Sequence, residues 1–349
     1  MSNLQSQQLI QNISALLDNA RKNVAAVINH TMVLTYYEIG RMIVEDEQNG
    51  ESRAEYGKAV LKDLSFHLTE RFGKGFSIEN LDRMRFFYKT YSERISSTLL
   101  TNSQNHQNRS VQQTEAVNFN LSWSHYLKLM RIKDEHERKF YEIESFKNNW
   151  SLRELQRQYD SALYARLSLS KNKEEILQLS EKGQIIEKPK DLIKDPYILE
   201  FLGLEEKPNY SENYLEGELI NKLEHFLLEL GTGFTFVARQ KRITFDEKHF
   251  KIDLVFYNRI LKCFVLIDLK IGELKHQDIG QMQMYVNFYD REVKLADENK
   301  TVGIILCQDK SEALVRYTLP EDNEQIFASK YFTVLPSKED FVHILNADH

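Results

Sequence analysis

The segment Val265-Leu-Ile-Asp268-Leu-Lys270 places an acid and a lysine two residues apart at the end of an apolar run. Side chains two apart on a strand point to the same face, so Asp268 and Lys270 would emerge together at the edge of a buried sheet. Asp253 lies fifteen residues earlier, also behind an apolar residue. A tight connection at Asn258-Arg259 would make the two strands neighbours and bring both carboxylates within reach of one cation. Two hard oxygen ligands, completed by water and phosphate oxygens, form a set that Mg²⁺ or Mn²⁺ accepts. A lysine beside them could orient or deprotonate an activated water. The chemistry such a set suits is hydrolysis of a phosphodiester.

Composition supplies a plain alternative. With 28% of residues charged, acid-x-Lys triplets recur by chance, and a cross-strand Asp–Lys pair can simply stabilise a surface hairpin. Three features single this triplet out: the apolar strand leading into it, the paired Asp253, and the helix that follows. In that helix, about His276 to Tyr289, the residues Ile279, Met282, Val286 and Tyr289 form a core stripe. Gln281 and Tyr285 lie four apart on an adjoining face, from which they could reach the strand ends and meet substrate; ordinary hydrogen-bonded side chains on a half-buried helix would look the same. From Arg239 to Lys275 there are nine Lys/Arg against five Asp/Glu. Arg239, Lys241 and Arg242 would form a basic rim for a phosphate backbone.

The elements that must position these residues follow from periodicity and proline placement. No proline occurs in the first 188 residues, and then Pro189, Pro196 and Pro208 fall close together. Proline inside a helix costs about 3 kcal/mol, so residues 1–170 are expected to be a helical domain, 171–208 a connector and 209–349 a second domain. Helical stripes start at Leu9, Ile13, Leu16 and Leu17 and continue through Val24, Val27, Val33, Tyr37 and Ile43. Lys58–Phe72 is a helix closed by Gly73-Lys-Gly75, with Ser77 at the N-cap of the next. These two could form a helix-turn-helix-like unit, with Arg83, Arg85 and Lys89 outward, or a plain bundle. Trp123 opens a further helix, and 152–167 is another. Residues 95–117, rich in Ser, Asn, Gln and Thr, read as a flexible loop. His125 has no partner at ligand spacing and reads as a packed histidine. In the second domain an amphipathic helix, 215–230, stops at Gly231-Thr-Gly233. Strands follow at 234–237, running on toward Phe245, at 252–257 and at 263–269, then the helix from His276, then an apolar strand, 302–306, whose pattern suits a central or parallel position. The fold class is therefore a helical N-terminal domain plus an α/β domain with a mixed sheet flanked by helices.

The net charge of −6 argues against a polycation that coats nucleic acid, although a local basic surface would suffice for a nucleic-acid enzyme. Two cysteines exclude a disulfide framework and suit a reducing cytosol. The polar start lacks a signal-peptide core, and no apolar run approaches the roughly 20 residues that span a bilayer. A cytoplasmic protein with no membrane partner is expected.

The order Asp253, Asp268-x-Lys270, Gln281-x-x-x-Tyr285 resembles the RecB-like branch of the PD-(D/E)XK nucleases. More closely, the chain resembles the bacterial YhcG-like family of that superfamily. The resemblance is carried by Phe226-Leu-Leu-Glu-Leu-Gly231, Phe250-Lys-Ile-Asp-Leu-Val-Phe-Tyr257, Ile267-Asp-Leu-Lys-Ile-Gly272, 276–287 and Val302-Gly-Ile-Ile-Leu-Cys307. In the first half it rests on Tyr37-Glu-Ile-Gly-Arg41, Arg53-Ala-Glu-Tyr-Gly57, Gly73-Lys-Gly-Phe-Ser77, Leu121-Ser-Trp-Ser-His125 and Trp150-Ser-Leu-Arg-Glu154. One departure, Tyr36-Tyr37 in place of Tyr-Trp, touches packing alone. The resemblance implies a restriction-endonuclease-like core and a Mg²⁺- or Mn²⁺-dependent deoxyribonuclease. It implies Asp253, Asp268 and Lys270 as catalytic residues, the Leu269 carbonyl as a further metal ligand, and a glutamate in the preceding helix. That glutamate is placed at Glu216, with Glu218 as the fallback. DNA is the expected partner, and the helical half would recognise DNA or mediate homo-oligomerisation. A ribonuclease, or a non-catalytic DNA-binding protein on a nuclease fold, are the alternatives left open.

Overall fold

Freedom from proline has the expected consequence: the first half of the chain is helical. In the computed structural model, residues 2–49, 54–101, 119–168, 172–204, 210–245, 247–335, 337, 338 and 341 are described, and the chain divides into two units, Met1–Leu155 and Gln156–His349. The first unit contains α1 (Ser2–Asn49), α2 (Ala54–Phe72), α3 (Ile78–Thr101), α4 (Trp123–Leu129), α5 (Glu135–Lys147) and the start of α6 (Leu152–Asp160). The Ser77 hydroxyl accepts from the Asn80 amide, capping α3 as expected. Of the stretch read as a loop, 95–101 continues α3; the rest, 102–117, lies outside the described residues. Gly40 permits a close approach of α1 and α3, since a Cβ there would lie 2.1 Å from the Met84 carbonyl oxygen. Around that crossing, Tyr37, Phe87, Phe119 and Tyr126 form a buried aromatic cluster. His125 is packed as the sequence suggested, with one ring nitrogen 2.7 Å from the Ser122 hydroxyl and the other 3.0 Å from the Trp150 carbonyl.

In the second unit come α7 (Leu163–Ser168), α8 (Lys173–Lys182), β1 (Tyr197–Ile198), α9 (Glu212–Asn221), α10 (Leu223–Leu230), β2 (Phe234–Phe245), β3 (Lys248–Asn258), β4 (Cys263–Leu269), α11 (His276–Phe288), β5 (Val302–Cys307), α12 (Glu312–Thr318) and β6 (Ile326–Phe332). The single helix read over 215–230 is two: Lys222 leaves the helix (φ −119°, ψ 34°) so that its ammonium can donate to the carbonyls of Phe201 and Leu202. The sheet order is β1-β6-β5-β4-β3-β2, with β1, β6, β5 and β4 parallel and β3 and β2 antiparallel. The fully buried run Val302–Cys307 is central and parallel, as its unbroken apolar pattern indicated. One sheet face packs Leu254, Phe256, Val265 and Ile267 against α9 and α10; the other packs Val255, Leu266 and Ile305 against α11. The fold class is thus a helical N-terminal region plus an α/β core with a mixed sheet between helical layers.

The stretch 171–208, read from its prolines as a connector, supplies edge strand β1 and the buried Tyr197, Ile198 and Leu199. What anchors it is a charge. Glu229 of α10 is fully buried; Oε1 accepts from Arg166 Nη1 (2.7 Å) and the Ile198 amide (3.0 Å), and Oε2 from Arg157 Nη2 (3.3 Å). Its backbone carbonyl accepts from Lys194. Burial alone would raise this carboxyl, but Arg166, Lys194 and Arg157 outweigh it and hold it at about 2. Removing one member of a buried ion pair leaves the other uncompensated. Glu229→Gln should therefore lower stability at pH 7 by about 3–5 kcal/mol in urea titrations. A carboxyl depressed from 4.5 to about 2 stabilises above the upper value, and that contribution fades as pH falls through this window. The gap between the proteins should close over the same range; equal stability at pH 7 would contradict the assignment.

Candidate active site

The site forms where two strands part. β3 pairs with β4 from Asn258 opposite Cys263 down to Leu254 opposite Ile267, and the pairing ends there. One step further the register sets Asp253 beside Asp268. Instead of a ladder bond, Asp253 Oδ2 accepts the Leu269 amide at 2.8 Å. On its other side β4 stays joined to β5, with Asp268 opposite Ile305 and the Lys270 amide donating to the Leu306 carbonyl at 2.8 Å. The carboxylate of Asp253 thus takes the place of a backbone acceptor while keeping its other oxygen for the site.

Asp268 is only 2% exposed. Its Oδ2 lies 2.9 Å from Lys270 Nζ as an ion pair, yet is buried without a directed hydrogen bond among the described residues. Burial, and then the neighbouring Asp253, push the Asp268 carboxyl up to about 7 despite Lys270. Asp253 is likewise raised by burial, opposed by the Leu269 amide and Lys270. For Lys270, burial favours the neutral amine, but Asp268 and then Glu212 outweigh it and the ammonium stays charged. Glu212 Oε2 is 3.6 Å from Nζ, and Oε1 accepts the Ile271 amide at 3.3 Å.

Glu216, one turn beyond Glu212 on α9, is buried and turned to the same site. A single side chain joins it to Asp253: Gln240 Nε2 donates to Glu216 Oε2 and, at 3.1 Å, to Asp253 Oδ1. The carboxyl of Glu216 is raised by burial, lowered by Gln240 and raised again by Asp253. Gln240 does this from φ 46°, a left-handed conformation in mid-strand, which costs a non-glycine residue about 1–3 kcal/mol. The fallback Glu218 is engaged elsewhere, accepting from Asn221.

Tyr285 is fully buried in the core under α11, and its hydroxyl donates to the Lys251 carbonyl at 2.8 Å. Gln281, half-buried, donates to that hydroxyl. The pair therefore pins β3 two residues before Asp253, and Tyr285 has no exposed surface to offer a substrate. Arg239 and Lys241 are exposed on β2. Arg242 instead meets His249 at 2.6 Å on the outer hairpin. Sequence reasoning missed Gln240 and Glu212. Glu212 carried a signal, one helical turn from Glu216; Gln240 carried none, since it comes opposite Asp253 only through a register that shifts between Phe236 and Ala238.

The donor set fits a hard divalent ion in kind. It offers two carboxylates whose mutual repulsion a cation would relieve, the buried Oδ2 of Asp268 that meets the Lys270 ammonium without a directed hydrogen bond, and the adjacent Leu269 carbonyl. Among the described residues no three His, Cys, Asp or Glu side chains cage an ion by themselves.

Residues 190–345 match the YhcG PDDEXK nuclease domain and residues 12–166 the DUF1016 N-terminal domain. The chain is 39% identical over 345 residues to YhcG of Escherichia coli (strain K12), a nuclease by name, covering 95% of this chain and 92% of that protein. Among solved structures, a repair endonuclease from Pyrococcus abyssi aligns over 37% of this chain at 18% identity and TM-score 0.26. The EndoMS-dsDNA2 complex aligns over 38% at 16% identity and TM-score 0.27. In both cases the match spans 50% of the solved chain.

An acid raised from 3.8 to about 7 makes the fold less stable as pH rises through that window, because the folded state resists its ionisation. Asp268→Asn should therefore be more stable than the parent at pH 8 in chelator, by on the order of 1–3 kcal/mol, with the advantage gone near pH 4. Thermal melts at both values check this, and a destabilised variant at pH 8 would refute it.

Proposed function

The chain belongs to the YhcG family of PDDEXK-domain nucleases, and from that premise we propose that it hydrolyses DNA phosphodiester bonds with Mg²⁺ or Mn²⁺ held at Asp253 and Asp268. The observation that carries this reading is the meeting of two raised carboxyls and a charged lysine where β3 leaves β4. The Leu269 carbonyl would be a further ligand, and Glu216 would join directly or through water. When bound, the ion supplies positive charge for the phosphate and a water of lowered pKa.

The chain's own residues do the rest. Gln240 holds Asp253 and Glu216 on one nitrogen, so the two acids keep a fixed separation. Tyr285 and Gln281 fix the backbone of β3 from behind. Lys270, kept charged by Asp268 and Glu212, suits orienting the water and offsetting charge on the phosphate better than taking a proton. Arg239 and Lys241 line β2 as the basic rim that meets the backbone. The buried thiols Cys263 and Cys307 suit a cytoplasmic setting. Among the described residues no helix is long and apolar enough to cross a membrane.

A second copy of the chain is the partner we assign to α1. Ile10, Ile13, Leu17, Ala20, Val24 and Val27 recur at alternating spacings of three and four, the seam of a coiled coil; Ile10, Ile13, Leu17, Val24 and Val27 are exposed. Sedimentation of the full chain without DNA should show a dimer or higher species; a strict monomer would remove this part of the reading.

Purified protein should cleave circular or linear DNA with Mg²⁺ or Mn²⁺ and not with chelator; cleavage of RNA alone would move the substrate to the other backbone. Lys270→Ala should lower cleavage at least about 100-fold with DNA binding retained. Cleavage that survives this substitution, or that ignores chelator, contradicts the proposal.

A further inference from the structure

The helical unit contains a cavity of about 680 Å³ that the nuclease site does not account for. Its walls come from α3 (Phe86, Lys89, Tyr91), the turn after α4 (Arg131, Lys133) and α5 (Arg138). The volume is that of a small-molecule site, but the lining is cationic. Lys89, Arg131 and Lys133 are exposed and form no ion pair among the described residues. Arg138 is held in place by the Ile132 carbonyl (2.8 Å) and lies over the Tyr91 ring at 5.8 Å. The lining's carboxylate, Glu135, is already paired with Lys139 at 2.7 Å. Five cations therefore gather around one cavity against the one carboxylate of its lining, in a protein of net charge −6. Phe86, half exposed at the same wall, presents an apolar ring.

An excess of cations around a concavity calls for an anion with several charges. An exposed aromatic ring beside them calls for something flat and apolar attached to it. A single-stranded nucleic acid has both, phosphates for the cations and base faces for the ring. A duplex hides its base faces in the stack and would leave Phe86 without a partner. We propose that this cavity binds a single-stranded stretch of nucleic acid, with Lys89, Arg131, Lys133 and Arg138 on the phosphates and Phe86 stacked on a base. The inference rests on the nuclease reading for its choice of polymer, and it gives the helical unit a task in substrate recognition.

The test is binding, measured in chelator so that no cleavage intervenes. Fluorescence anisotropy of the full-length protein would use a labelled single-stranded DNA oligonucleotide, the same sequence as RNA, and its duplex. Phe86→Ala should weaken single-strand binding at least about fivefold, as removal of one stacking ring does. The double variant Arg131→Glu/Lys133→Glu should weaken it at least about tenfold and flatten the dependence of log affinity on log salt by about 1.4, roughly 0.7 for each phosphate no longer neutralised. Phe86, Arg131 and Lys133 are all exposed, and melting curves verify that the variants fold. The RNA arm, bound as well or less well, decides which sugar the site accepts without altering the class. Unchanged affinity and salt slope in folded variants would overturn the proposal, as would a duplex bound more tightly than the single strand and weakened equally by Phe86→Ala. Cleavage by the parent separates the two readings. Should the parent prove unable to cleave with Mg²⁺ or Mn²⁺, the nuclease reading fails while weaker binding by the cavity variants still upholds this one.

Discussion

At the end of a β-ladder, each backbone amide still needs an acceptor if it is buried. The Leu269 amide finds one in the carboxylate of Asp253, and this substitution of side chain for backbone is what opens the site. It lets β3 turn away from β4 without leaving a buried donor unsatisfied. It also fixes Asp253 by one oxygen and leaves the other for Gln240. Asp268, still inside the ladder on the β5 side, cannot move away. Two carboxylates are held together by covalent and hydrogen-bonded geometry; burial is the main cause that raises both, and at Asp268 the neighbouring Asp253 adds to it.

The surrounding elements can be understood as supports for this arrangement. The buried β5 locks β4 from one side, and Tyr285 clamps β3 from below. α9 delivers Glu212 and Glu216 from above, one turn apart. The strained backbone of Gln240 is consistent with a residue retained for its amide, which is the link between α9 and β3. Such local cost at a chemical site is offset elsewhere in the fold. The Glu229 hub contributes an opposite kind of charge: a carboxylate that the fold favours, fully paired and far below its ordinary range.

The legible part of the sequence was the part governed by local rules. Val265–Lys270 could be read as a strand end carrying chemistry because alternation and burial act over a few residues. The central run 302–306 could be read for the same reason, and Ser77 could be read as a cap. Gln240 was not legible, because its role comes from a left-handed backbone and from register across the hairpin rather than from its neighbours in sequence. The stretch 171–208 reads as a connector because its prolines break helices; the burial of Tyr197 and Ile198 depends on Glu229, some thirty residues on, which no local pattern reports. Periodicity puts Tyr285 on the right helix face, but the depth to which it is buried depends on how closely α11 approaches β3. In the helical unit, Lys89 points outward as its spacing indicates, whereas Arg85 is tied to Glu47 and Asp82. The cations that gather with Lys89 lie some forty residues on.

Asp253 and Asp268 are, on this account, held together to receive one divalent ion. Isothermal titration of Mn²⁺ into the metal-free full-length protein tests that most directly. One ion per chain should bind to the parent and to Lys270→Ala, and binding should be lost in Asp253→Asn and in Asp268→Asn, with all four proteins folded. Mn²⁺ binding that is absent from the parent, or undiminished in both Asp→Asn variants, would contradict it.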